Sequence, residues 1–231
     1  KNQKIIIFPQ TVYYENEENL KRDAEIYNKH PNLTICVRDC QSYHLLKKYL
    51  YNNTILLLPD MAFFLDLKNL WQTKSTEKIL LMKRTDKELL QQNLTKQSIN
   101  KFCKDNFNEK KIIVRDRQDY SEYNSDKDWR KQKVRNNERI KKFLDKFSFG
   151  TYKIDSNFGL NPIFHSKLNI KNGIELINGF DKIFTTRLHG AILGILLNKE
   201  VYILNNSYGK NGWFFDCWLK EFENCHMINK I

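Results

Sequence analysis

The residues best suited to chemistry stand in one stretch, Ile183-Phe184-Thr185-Thr186-Arg187-Leu188-His189-Gly190-Ala191-Ile192. A short β-branched and aromatic run ends in a guanidinium, an imidazole and a glycine follow, and an apolar helical pattern begins. This order predicts strand, tight turn and helix. It sets Arg187 and His189 beside the first-turn amides of Leu188, His189 and Gly190, where the helix dipole and unpaired N–H donors favour an anion. Arginine offers a planar fork for phosphate or carboxylate, and histidine can move a proton near neutral pH. Gly190 carries no Cβ, so a ligand or a neighbouring strand can come close. The chemistry expected is on a small, multiply charged anion, with Arg187 and His189 as catalytic groups.

Other candidates stand where strands should end. The spacing predicts strands at Lys4–Phe8, Leu33–Val37 and Thr54–Leu58, with helices at Glu15–His30 and Ser42–Tyr51 between them. Strands alternating with helices at this interval indicate a parallel sheet, and such sheets bind ligands outside the carboxyl ends of their strands. Gln10, Arg38, Asp39 and Asp60 all fall there, with Gln10 and Asp60 as candidate acceptor or cleft residues. Arg38 is expected to pair with neighbours of Asp39, or to brace the first domain, rather than to act in catalysis. After a connector around Asp66–Lys78, a new strand at Ile79–Met82 leads to Arg84, a second anion clamp. Strands near Ile112–Val114, Ile183 and Val201–Leu204 continue the rhythm, Lys210 follows as a lysine able to close over a phosphate, and an aromatic helix at Trp213–Phe222 ends it. Histidines 30, 44, 165 and 226 are expected to pack rather than react.

Composition narrows the classes. With 231 residues and 41% hydrophobic content the chain can bury a substantial core. No apolar run is long enough to span a bilayer. A net charge of +12 suits anionic small substrates, an anionic membrane face or nucleic acid; no helix-turn-helix, zinc finger or RNP pattern supports the last. The basic stretch Trp129–Phe147 reads as one helix whose charges are solvated, or alternatively as a peripheral membrane patch. The cysteines (36, 40, 103, 217, 225) lack metal-ligand spacing, so reduced thiols are expected in a reducing, cytoplasmic compartment, and no metal site.

Several segments together resemble the polysaccharide pyruvyl transferase family: Phe8-Pro9-Gln10-Thr11; Arg38-Asp39 with Ser42; Pro59-Asp60-Met61-Ala62; Arg84-Thr85-Asp86-Lys87-Glu88; Thr186-Arg187-Leu188-His189-Gly190; and Asn205 to Lys210 with Phe215-Asp216-Cys217-Trp218. They stand in the family's order over most of the chain. The glycine-rich segment that usually follows the family's first strand is absent. The resemblance implies an α/β fold of two Rossmann-like parallel-sheet domains of glycosyltransferase-B type. The first, residues 1–70, would be incomplete at its N-terminus, and the second, 71–231, would carry the donor motif. It implies pyruvate transfer from phosphoenolpyruvate, as co-substrate and without a further cofactor, to a sugar of a capsule, exopolysaccharide or cell-wall precursor, either free or lipid-linked. The donor would be held by Arg84, Arg187, Leu188, His189, Gly190 and Lys210, in the cytoplasm or, alternatively, at the inner face of the cell membrane. The rival readings are a nucleotide-sugar glycosyltransferase of similar fold and a non-catalytic, truncated relative acting as a binding module.

Overall fold

A computed structural model describes residues 3–72, 74–82, 96–107, 112–115, 170–171, 173–205 and 209–228. Residues 1–116 and 177–231 gather into one compact unit and 117–176 into another. The first unit holds two parallel sheets, and its local sequence explains how each is built.

The first sheet runs in order β1 (Ile5–Gln10), β2 (Leu33–Val37), β3 (Thr54–Leu57), all parallel. Between its strands lie helices α1 (Glu17–Asn28) and α2 (Cys40–Tyr49). Helix α1 begins where Asn16 accepts from the Asn19 amide, with Glu17 and Glu18 in the first turn opposing the dipole. Asp39 caps α2 by accepting from the Ser42 amide at 2.7 Å and the Ser42 hydroxyl at 2.9 Å. That cap accounts for the Arg-Asp-x-x-Ser spacing. The Asn28 side chain joins the Tyr49 carbonyl to the Tyr51 and Asn52 amides, fastening the end of α1 to the turn before β3.

Ile35, Val37, Ile55, Ala24 and Leu46 make the core between this sheet and its helices. Register places Ile6 and Leu56 on the opposite face by alternation, and Phe8 follows in the stretch where the β1 register shifts. Phe8 there is 69% exposed.

The second sheet has the order β5 (Ile112–Arg115), β4 (Ile79–Met82), β6 (Lys182–Thr185), β7 (Glu200–Leu204), β8 (Cys225–Ile228), again all parallel. Every residue of β4 is buried, as expected of a central parallel strand. Because β5 and β6 flank β4 on opposite sides, the winding reverses there. Helix α3 (Lys96–Phe107) precedes β5, and α4 (Leu188–Leu196) follows β6. Helix α5 (Lys210–Phe214) runs on into a π-helical turn, Phe215–Leu219.

Sequence and structure differ in three places here. Strand β8 was not expected, and the aromatic helix ends at Leu219 rather than Phe222. The expectation of reduced thiols is corrected for one pair: Cys40 at the start of α2 is disulfide-bonded to Cys217 in the π-turn, with Cα atoms 6.1 Å apart. Their 177-residue separation hid that proximity. Cys36 and Cys225 are free and buried. The basic stretch Trp129–Phe147 lies outside the described residues. Among the described residues no helix is long and apolar enough to cross a membrane.

Candidate active site

The site forms where β6 gives way to α4. Strand β6 ends at Thr185, whose hydroxyl accepts from the Arg187 amide at 2.9 Å and donates to the Arg187 carbonyl. Arg187 itself is the N-cap in extended backbone, and no side chain caps α4. The first-turn amides of Leu188, His189 and Gly190 therefore have no carbonyl one turn back to bond. An anion is the partner such a helix start suits.

Gly190 is required by packing. A Cβ at that position would meet Met82 Sδ at 2.7 Å and Thr185 Oγ1 at 3.1 Å. The glycine lets α4 approach β4, so the neighbouring strand is what claims the space. Gly194 repeats the device one turn on, where a Cβ would fall 2.8 Å from Val201 and 2.9 Å from Ile183.

His189 stands at the exposed side of this turn, its side chain 70% accessible, with Nε2 3.5 Å from Asp60 Oδ2. Asp60 comes from the end of the first sheet. It caps the turn Met61–Phe64 by accepting from the Ala62 amide at 3.0 Å. That turn is anchored by Ala62 and Phe63, which pack against the cluster of Leu188, Ala191 and Phe214. The packing holds a nearly buried carboxylate against the imidazole.

The other partner of Asp60 is Arg38, whose Nη1 donates to Oδ2 at 2.5 Å. Arg38 Nε donates to Thr11 Oγ1 at 3.1 Å, and the Arg38 carbonyl accepts from Trp218 Nε1 at 2.9 Å. Burial by itself would raise the Asp60 pKa. Hydrogen bonds from His189, the Ala62 amide and Arg38 outweigh it, holding the carboxyl well below the usual range. It is ionised at any physiological pH.

Of the two expectations for Arg38, pairing with neighbours of Asp39 is not seen, and bracing within residues 1–70 is, since Arg38 joins Thr11 to Asp60. Asp39 is committed to the α2 cap, and Arg38 reaches Asp60 beside His189. The clue in the sequence was a strand-end arginine in the same sheet as a Pro-Asp strand end, but sequence does not show that β2 and β3 are neighbours whose ends converge.

Of the remaining candidates, Gln10 closes β1, and its carbonyl accepts from the Arg38 amide. Lys210 opens α5 after Gly209, which takes a positive φ of 75°, and its Nζ lies 5.6 Å from the centre of the Tyr13 ring. Arg84 lies outside the described residues. Strand β4 ends at Met82, in register with Thr185, so the winding reversal falls beside the Arg187 turn. Buried Asn211 ties this end of the sheet together, donating to the Thr186 and Leu204 carbonyls. His226, expected to pack, stacks on Tyr202 and also contacts Glu200.

The sequence profile of polysaccharide pyruvyl transferases matches residues 1–208. The chain belongs to the polysaccharide pyruvyl transferase family. It is 32% identical, over 98% of its length, to a protein of Bacillus subtilis (strain 168) named "Putative pyruvyl transferase EpsO". General stress protein 30 of the same organism is 25% identical over the whole chain. The chain spans 63% and 56% of those two relatives. A crystal structure of the protein KP1_0663 from Klebsiella pneumoniae shares the fold, with a TM-score of 0.58 at 19% identity, over 98% of this chain and 64% of that one.

Proposed function

We propose that this pyruvyl transferase family member moves pyruvate from phosphoenolpyruvate onto two hydroxyls of a saccharide as a ketal, within a two-domain glycosyltransferase-B arrangement. The observation that carries the reading is His189, exposed at an uncapped helix start two residues after Arg187 and backed by the ionised Asp60.

Phosphoenolpyruvate places a carboxylate and a phosphate on one enol carbon. Arg187 and the first-turn amides supply donors for these anions, with Arg84 as a second cation. Charge-assisted hydrogen bonds of this kind contribute about 1.5–3 kcal/mol each. Asp60 Oδ2 stands 3.5 Å from Nε2 of His189, which leaves Nδ1 for the ligand. The imidazolium gives its proton to the methylene carbon, the π pair forms the new C–H bond, and the central carbon becomes electrophilic. A sugar hydroxyl adds there and returns its proton to His189. The C–O bond to phosphate then breaks, phosphate leaves with the pair, and the second hydroxyl closes the ketal as its proton passes to phosphate.

Two readouts test this on the chain. Calorimetric titration should show binding of phosphoenolpyruvate and none of a nucleotide sugar. Phosphate release should require a saccharide acceptor, and His189→Ala should lower its rate by about 10²–10⁴-fold with the thermal transition unchanged. Nucleotide-sugar binding, or full turnover in His189→Ala, would overturn the reading.

A further inference from the structure

Two fastenings join the start of α2 to the turn after α5, and the chemistry proposed above uses neither. Cys40, the first residue of α2, is disulfide-bonded to Cys217 in the π-helical turn. Next to it, the Trp218 indole donates to the Arg38 carbonyl at 2.9 Å. In each pair one partner stands on the side of the first sheet and the other on the side of the second.

The candidate site straddles the same junction. Asp60 comes from the first sheet and His189 from the second, and Arg38, two residues before Cys40, holds Asp60. Other fastenings of the junction are of different kinds. Ala62 and Phe63 pack on the cluster of Leu188, Ala191 and Phe214, and Trp71 Nε1 donates to the Leu196 carbonyl at 2.8 Å. These do not depend on sulfur, so breaking the Cys40–Cys217 bond frees one corner of the junction and leaves the rest folded.

The described cysteines also differ in reach. Cys36 and Cys225 are free and buried. Burial raises both thiols, Cys225 up to about 12 with the Glu200 charge adding to it, so they stay protonated and away from reagents. Cys40 and Cys217 are half-buried, and a small thiol can reach them.

We propose that Cys40 and Cys217 form a thiol–disulfide exchange site, a redox latch on the candidate active site that a dithiol reductant opens and a low-molecular-weight disulfide closes. In opening, a reductant thiolate attacks one sulfur of the pair and expels the other as a thiolate. The reductant's second thiolate then breaks the mixed disulfide. Two electrons and two protons pass to the pair, which ends as two thiols, and the reductant ends as its own disulfide. Closing is the same exchange in reverse, with the oxidant leaving as two thiols. With the bond open, the Trp218–Arg38 hydrogen bond loses its covalent neighbour and is formed for less of the time. Arg38, and through it Asp60, is then less firmly placed against His189, and a small misplacement of this kind slows a reaction. The effect on turnover rests on the transfer proposed above; the opening of the latch does not.

The test compares the 231-residue chain oxidised with glutathione disulfide and reduced with dithiothreitol, below the thermal transition of either form. Alkylation of the native protein followed by mass measurement should count two more reactive thiols after reduction. Hydrogen exchange at the Trp218 indole N–H, assigned by its loss in Trp218→Phe, should quicken by about tenfold or more on reduction. Phosphate release should fall by about tenfold, and re-oxidation should restore both. Cys40→Ser should behave as the reduced parent in either buffer, and Cys217→Ser gives the same reading should Cys40→Ser fail to fold. Cys36→Ser should respond as the parent does. Unchanged indole exchange after full reduction would overturn the proposal, as would equal phosphate release by active enzyme in the two states. Reduction-sensitive exchange with no phosphate release in either state would sink the transfer reaction and leave the latch standing. Normal release with the exchange unmoved would do the reverse.

Discussion

His189 and Arg187 could be picked out from their residue types and order, because a strand–turn–helix junction places its turn residues at a helix start whatever the rest of the molecule does. Asp60 was visible as a strand-end acid, but its use was not: it spans from the first sheet to a histidine far along the chain. The carboxylate supports a pH prediction. Its folded pKa lies below the ordinary aspartate value of 3.8, so the folded state binds fewer protons than the unfolded chain. The stability it contributes is complete above that ordinary value and is lost as pH falls through it toward the lower folded value. Asp60→Asn should therefore cost about 1–3 kcal/mol at neutral pH, and the gap between variant and parent should narrow in acid. Urea melts of both proteins across that range measure it.

At the scale of elements, α4 is held on the sheet by two glycines. An added methyl at Gly194 must displace Val201 or Ile183, both fully buried. Gly194→Ala should destabilise by about 1–3 kcal/mol, despite the better helix propensity of alanine, and a lowered thermal midpoint would show it. Were the midpoint to rise, the close approach of helix to strand would be wrong. Asn211 offers a second check. Asn211→Leu removes the donor shared by the Thr186 and Leu204 carbonyls and should cost a similar amount, about 1–3 kcal/mol, read by the same melt. Helices α1 and α2 were legible to within a few residues because their caps, Asn16 and Asp39, sit in the local sequence. Strand β8 was missed because Cys225-His226-Met227-Ile228 is short and lacks alternation; only pairing with β7 makes it a strand.

For the molecule as a whole, the Cys40–Cys217 bond and the Trp218–Arg38 hydrogen bond fasten the start of α2 to the π-turn after α5, next to the Arg38–Asp60–His189 contacts. A cross-link closing so long a loop restricts the unfolded chain, a stabilisation of about 2–4 kcal/mol. Reductant, or the pair Cys40→Ser and Cys217→Ser, should lower the thermal midpoint, while Cys36→Ser should not respond to reductant differently from the parent. An unchanged midpoint on full reduction, with both thiols then open to alkylation, would count against the bond.

Features that depend on near neighbours along the chain were legible from residue type and order: strands alternating with helices, the caps, and an anion-suited turn carrying Arg187 and His189. Side-chain type and period are enough for these, since each forms within one turn or one strand-loop junction. The tertiary structure alone decided the partners. Which strand ends converge depends on strand order, and strand order is set by how apolar faces are buried together rather than by any local pattern. That is why Arg38 meets Asp60, why Asp60 reaches His189, and why two cysteines at opposite ends of the chain bond.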